Sequence, residues 1–195
     1  MRKITQEEYR LSNWSGGTTT QLLIWPQNAD YQSKDFSFRI SSATVELEES
    51  VFTHLPKVHR FLSILDGELQ LNVKHDSEEN VVTLKEKEIF EFEGDWEVKS
   101  KGQVRDFNLM LKDMTGSMEY IEVNQTRKIS CEREFVFFFL VEGNSTILKQ
   151  GEKDTVELSE GESMFDQVNQ KSEYLLQTEQ QASIFLIQAG DLVNA

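Results

Sequence analysis

The sequence is short of the residues that mark several large protein classes. One cysteine, Cys131, stands among 195 residues, so no disulfide closes within the chain and no oxidising compartment is called for. Cations are scarce: 20 Lys and Arg face 34 Asp and Glu, a net charge of −14. A surface that tracks nucleic-acid phosphates needs Lys and Arg in excess, which argues against a nucleic-acid partner and against an anionic membrane surface. Long apolar runs are missing too. The longest, Phe135 to Val141, has seven residues, whereas a membrane helix needs about 20. Met1 to Leu11 is charged and polar, without the apolar centre of a signal peptide, so a cytoplasmic location is expected. Only 2 prolines occur and no Pro/Gly/Ser-rich tract, so the chain is expected to form one large domain or two halves packed tightly together.

What the sequence does have is the period of a β-strand. Phe36-Ser-Phe-Arg-Ile-Ser41 alternates strictly, and Val45 and Leu47 continue on the Arg39 face. Phe61 to Leu65, the pair Asp66-Gly67, and Glu68 to Val73 predict a hairpin with a two-residue type I′ turn. Short alternating runs recur to the end of the chain, separated by Gly, Asn, Asp or charged pairs, and no segment shows an apolar helix face over three turns. The expected fold is all-β, a sandwich or barrel.

The chain also resembles itself. Phe61-Leu-Ser-Ile-Leu-Asp-Gly67 is followed 23 residues later by Phe90, and Phe137-Phe-Phe-Leu-Val-Glu-Gly143 is followed 22 residues later by Phe165. In each copy an apolar strand ends in acid-Gly, a second strand follows, and a third closes on Phe. A duplicated unit is expected.

This order of strands resembles the cupin barrel. Three stretches are more particular: Trp14-Ser-Gly-Gly-Thr-Thr-Thr-Gln21, Phe38-Arg-Ile-Ser-Ser-Ala-Thr-Val45 with Phe52-Thr-His-Leu-Pro-Lys-Val-His-Arg60, and Asp106-Phe-Asn-Leu-Met110. Together they resemble the HutD/Ves family of small bicupins. The resemblance implies two cupin-like barrels, with a ligand pocket in residues 1–115 and a degenerate second half in residues 116–195. It further implies a small carboxylate ligand and a sensing or regulatory role in histidine utilisation or a stress response. Cupins often dimerise through their sheets, so a homodimer is implied as well, with Phe135 to Val141 as a candidate interface strand.

Metal-binding cupins carry Gly-x5-His-x-His-x3,4-Glu-x6-Gly. Anchored on Gly67, that motif puts Arg60 at the Glu position, His54-Leu-Pro56 near the paired His, and Glu97 at the later His. A first-row metal needs three or four converging N, O or S ligands, so no metal and no cofactor are expected.

The candidate residues follow from these patterns. Arg39 and Arg60 sit among apolar strand neighbours, and buried arginine must meet water or a carboxylate. Each either holds a ligand carboxylate in a bidentate fork or forms an internal ion pair, for instance with Asp106. Asp106, Asn108 and Met110 share one strand face by parity, either exposed or lining a lumen, and Ser41 shares the face of Arg39. In the first stretch, Gly17 and Thr18 offer backbone and hydroxyl donors to an anion, or form a tight turn with Trp14 as a core plug. His59 faces away from Arg60 in a regular strand, and is either a general base or a simple hydrogen-bond donor. Cys131 has no histidine-bearing surroundings, and no catalytic residue is assigned. Two functions are carried forward: a metal-free binder of a small carboxylate, and a cofactor-free isomerase or epimerase with His59 or Asp106 as proton shuttle.

Overall fold

The computed structural model describes residues 1–193. Nineteen strands form among them. In chain order they are β1 (Arg2–Ile4), β2 (Arg10–Trp14), β3 (Gly17–Trp25), β4 (Phe38–Val45), β5 (Glu49–Val51), β6 (Val58–Asp66) and β7 (Glu68–His75). Next come β8 (Glu78–Lys85), β9 (Ile89–Glu93), β10 (Glu97–Lys101), β11 (Val104–Lys112), β12 (Gly116–Val123) and β13 (Thr126–Cys131). The last six are β14 (Arg133–Glu142), β15 (Asn144–Lys149), β16 (Thr155–Ser159), β17 (Ser163–Gln167), β18 (Ser172–Gln177) and β19 (Ala182–Leu192). No helix among the described residues is long and apolar enough to cross a membrane.

The chain divides into two compact units, one from Tyr9 to Asp113, the other from Met114 onward together with Met1–Glu8. Where the resemblance implies halves of 1–115 and 116–195, the first eight residues group with the later half. The cause is strand pairing: β1 adds to the edge of β17, with Lys3 opposite Met164.

The first unit holds a six-stranded sheet, β2-β3-β4-β11-β6-β9, and a four-stranded sheet, β5-β10-β7-β8. The second holds β1-β17-β14-β19-β12 and β13-β18-β15-β16. Adding eight to each number from β4 to β11 converts one arrangement into the other, so the duplication extends to the order of these eight strands. Each unit is built on a jelly roll of eight antiparallel strands with its own interior, extended by β2 and β3 in the first unit and by β1 in the second. Leu62, Leu71, Phe92 and Val98 build the first interior, and Phe138, Leu140, Ile147 and Ile184 the second.

Asp66-Gly67 is not the hairpin its composition predicts. β6 already pairs with β11 on one edge and β9 on the other, which leaves no edge for β7. Instead Gly67 (φ +95°) turns a corner that carries the chain from one sheet to the other, and Gly143 (φ +86°) does the same in the second unit. A Cβ at either glycine would lie 3.0 Å or less from a carbonyl oxygen, Gln103 O or Gln181 O, so only glycine fits both the turn and the space. The strand expected to offer an interface, Phe135 to Val141, lies within β14, paired on both edges, with Phe137 and Phe138 fully buried.

Candidate functional site

Strands β4, β11 and β6 are neighbours in the six-stranded sheet, and their register sets the site. Met110 lies opposite Arg39 on one side and Arg60 on the other, while Asn108 lies between Ser41 and Leu62. Because side chains alternate, Arg39, Ser41, Arg60, Asp106, Asn108 and Met110 share one face. All six are buried, and all line a cavity of about 400 Å³ in the first unit. Small-ligand sites occupy roughly 300–1,000 Å³. The opposite face of β11, with Phe107, Leu109 and Leu111, is buried and apolar.

Arg60 is 3% exposed. Its guanidinium lies against the edge-to-face pair of Phe52 and Phe92, 4.9 Å from each ring centroid. Its Nε has no hydrogen-bond partner, and no carboxylate among the described residues lies within ion-pair distance of the group. Burial pulls its pKa down to about 10, with the like charge of Arg39 acting the same way and Tyr31 and Asp106 opposing. Arg39 is better held. Its Nε donates to Gln21 Oε1 at 2.9 Å, its Nη1 donates to Ser41 Oγ at 3.1 Å, and its guanidinium lies 4.2 Å from the Tyr31 ring centroid. Burial lowers its pKa as well. Both partners that fix Arg39 are neutral, so its charge is oriented without being cancelled.

Asp106 is the one acid lining this cavity. Its Oδ1 accepts a hydrogen bond from the Ala43 N–H at 2.9 Å, and Ser42 Oγ donates to its backbone carbonyl. Desolvation raises its pKa to about 6 against the lowering effects of that hydrogen bond and of the two arginines. Asn108 Oδ1 is buried with no partner. Two cations, one carboxylate set apart from them and an unsatisfied amide therefore converge on one space. An orphaned buried polar group costs about 1–3 kcal/mol, more for a charged one, unless something in the cavity meets it.

The remaining candidates are distributed differently. Trp14 stands at the cavity mouth, 42% exposed, and is not a core plug. Its ring covers Gly16, where a Cβ would fall 2.2 Å from the ring. Gly17 and Thr18, the candidate anion donors, do not line the cavity. Gly17 is paired with Trp14 on one side and Val45 on the other, and a Cβ on it would fall 2.0 Å from Thr44 O. The glycine thus permits close strand approach, and Thr19 reaches the cavity instead. His59 lies on the opposite face of β6, with Nδ1 2.8 Å from Glu93 Oε1 and its ring edge-on to Phe61. It is therefore removed from the cavity both as a ligand contact and as a proton shuttle. Three residues that sequence reasoning missed complete the site: Tyr31, Phe52 and Phe92.

The metal-ligand positions of the wider cupins do not converge here. His54 and Glu97 are exposed, neither lines the cavity, and among the described residues no group of three His, Cys, Asp or Glu could hold a metal ion. One carboxylate beside two guanidiniums is a poor donor set for a divalent cation. Cys131 is buried, its thiol pushed up to about 12 mainly by desolvation, and is therefore inert. Two wider clefts, of about 650 Å³ beside Gly143 and about 610 Å³ beside Arg105, present charged groups only on exposed side chains.

The second unit repeats the frame with a different interior. Val136 precedes Gly143 by the seven residues that separate Arg60 from Gly67. Phe138 pairs with Leu186 as Leu62 pairs with Asn108, and Leu140 pairs with Ile184 as Ile64 pairs with Asp106. Arginine, asparagine and aspartate are thus replaced by Val136, Leu186 and Ile184, all buried in one apolar cluster. Among the described residues the arginine-lined cavity belongs to the first unit, whereas the buried acid of the second, Asp166, is closed off by Lys149, Tyr174 and the Met1 amino group.

A duplicated jelly roll with guanidinium groups in its first interior defines a bicupin whose metal-ligand positions have changed character. The chain belongs to the HutD family, whose sequence model matches residues 6–186. Among solved structures, a conserved protein of unknown function from Pseudomonas aeruginosa PAO1, PA5104, is 22% identical, with a TM-score of 0.83 over 98% of each chain. HutD from Pseudomonas fluorescens SBW25, determined in a formate condition, is 19% identical, with a TM-score of 0.76 over 97% of each chain. Oxalate decarboxylase of Bacillus subtilis shares the fold at 6% identity, with a TM-score of 0.74 over 97% of this chain and 77% of that one. No curated protein is detectably similar in sequence.

Proposed function

We propose that the first barrel binds a small carboxylate metabolite and that the protein acts by sensing it. The observation that carries this reading is Arg60, a buried guanidinium without an anion, facing a cavity of ligand size. Arg39, fixed by Gln21 and Ser41, supplies a second cation, and a planar fork suits a carboxylate in bidentate contact. Asn108 meets a polar group of the ligand, while Met110 and Trp14 provide apolar contact. The sensing role in histidine utilisation or a stress response rests on the resemblance to HutD proteins.

The test is thermal stability against a panel of small acids, those of histidine breakdown included. A ligand at 100 times its Kd adds about 2.7 kcal/mol, a rise in Tm on the order of 10 °C for a unit of this size. No shift with any acid, or the same shift in Arg60→Ala, overturns the reading.

A second reading is favoured by Asp106, whose pKa of about 6 suits a proton shuttle. It makes the protein a cofactor-free isomerase or epimerase, an analogy drawn from the fold. Turnover of a bound acid that stops in Asp106→Asn while binding persists would establish it, and unchanged acid after long incubation would dismiss it.

A further inference from the structure

The cavity holds two fixed cations and one carboxyl group that makes no ion pair with either. Arg39 and Arg60 are the cations, Asp106 is the acid, and among the described residues Tyr31 is the only other titratable group on the lining. Facing Asp106 are Arg39 from β4 and Arg60 from β6, while the segment around β5 contributes Ser50 and Phe52, which do not titrate. The one hydrogen-bond donor to the Asp106 carboxyl among the described residues is the Ala43 N–H, at Oδ1, so Oδ2 is free to take a proton and donate it to a ligand oxygen.

The charge balance depends on that proton. With Asp106 ionised the lining carries a net charge of +1, and one negative charge from a ligand neutralises it. With Asp106 protonated the lining carries +2 and calls for two. In a desolvated space an uncompensated charge is costly, so the count of charges decides between ligands that fit equally well.

We propose that Asp106 is a proton-controlled counter-charge that sets the valence of the ligand: ionised, it makes the cavity a monocarboxylate site, and protonated, a dicarboxylate site. The inference rests on the anion-site reading above and adds a rule of selectivity to it. Binding of a dianion is then coupled to uptake of a proton by Asp106, and acidification shifts the preference from singly to doubly charged acids. The elevated carboxyl pKa puts this switch in the range of mild acidification.

Oxalate and oxamate test the rule, because they share size and planarity and differ by one charge across pH 6 to 8. Their affinities are measured by calorimetry in that range for the intact protein and for Asp106→Asn. The expected result is an oxalate-to-oxamate affinity ratio that falls at least about fivefold from pH 6 to pH 8. About a hundredfold is the ceiling for one linked proton over two pH units. In Asp106→Asn the ratio stays flat and favours oxalate throughout. A flat ratio in the wild-type protein, or the same fall in the variant, overturns the rule and leaves the anion site standing. Failure of both probes to bind at tens of millimolar overturns the anion site and the rule with it. Should the variant not fold, carbon-13 NMR of the Asp106 carboxyl in the wild-type protein decides the matter. Oxalate must raise its titration midpoint more than oxamate does, and equal midpoints refute the proposal.

Discussion

Replacing Arg60 with methionine should stabilise the unliganded protein while abolishing anion binding. The fall of the Arg60 pKa from 12.5 to about 10, caused first by desolvation, measures how far folding disfavours the charged form. A base whose pKa drops on folding is penalised wherever it is charged. The penalty is complete below about pH 10 and is relieved only as the pH climbs towards 12.5. At neutral pH it amounts to about 3 kcal/mol. Opposing it is the contact of the guanidinium with the Phe52 and Phe92 rings, about 1 kcal/mol for each and about 2 kcal/mol in all, phenylalanine being a weaker partner than tryptophan. Methionine keeps an unbranched stem against those rings, and its sulfur recovers about 0.3–1.5 kcal/mol of aromatic contact. The balance is a net gain of about 1–2 kcal/mol. Urea denaturation at pH 7 reads it directly, and calorimetry with the same protein reads the loss of binding. A variant that is less stable than wild type by 1 kcal/mol or more would show that the cation supports the fold. A variant that still binds acids would show that Arg60 is not the anchor.

Other substitutions probe separate parts of the same argument. Gln21→Glu places a carboxylate against Arg39 and cancels the charge that the neutral amide leaves intact, so affinity for a small acid should fall about tenfold with stability retained or raised, as calorimetry would show. Gly17→Ala drives a Cβ into Thr44 O at a φ of +143°, and should cost more than about 2 kcal/mol in denaturant unfolding. Val136→Arg puts a cation into the filled second interior opposite Asp166, a buried carboxylate already held by Lys149, Tyr174 and the Met1 amino group. A loss of about 3–5 kcal/mol is expected, and a well-folded variant would contradict the contrast drawn between the two halves.

Alternation was enough to put Asp106, Asn108 and Met110 on one face of β11 and Arg39 with Ser41 on one face of β4, because parity assigns a face once a strand is recognised, while the adjacency of those strands and of Arg60 was implied only by the family resemblance. The repeat of apolar strand, acid and glycine was legible for a related reason: the corner at Gly67 and Gly143 demands the same backbone in both units. What that corner joins was not legible. A hairpin and a sheet-to-sheet corner use the same residues, and the difference lies in whether a distant strand already occupies the edge of β6. Residues 1–8 were assigned to the wrong unit on similar grounds, since β1 finds its partner at β17, far along the chain. Tyr31 sits in a polar stretch without period, so nothing local predicts that its ring meets Arg39. His59 is adjacent to Arg60 in sequence yet faces away from it, as alternation alone requires.

The two interiors together act as an internal control on why charge stands at the positions of Arg60, Asp106 and Asn108 in one of them, since the second unit pairs its buried Asp166 internally with Lys149 and the Met1 amino group. The same eight-strand frame closes around Val136, Ile184 and Leu186 in the second unit, so the architecture does not require polar groups at these positions. In the first unit both charged groups with large shifts move in the direction that opposes folding near neutrality. Arg60 is penalised below about pH 10, and Asp106 is penalised as the pH rises from 3.8 to about 6 and beyond. A cavity that destabilises its own barrel needs a compensating partner from outside the chain. Net charge restricts what that partner is. The chain carries −14 overall, and exposed charge acts over about 8 Å at physiological ionic strength, so extended polyanions are repelled at the surface. A small acid within the cavity meets the guanidiniums at contact distance, where screening is weak. The acidic exterior and the cationic interior together select for size as well as for sign.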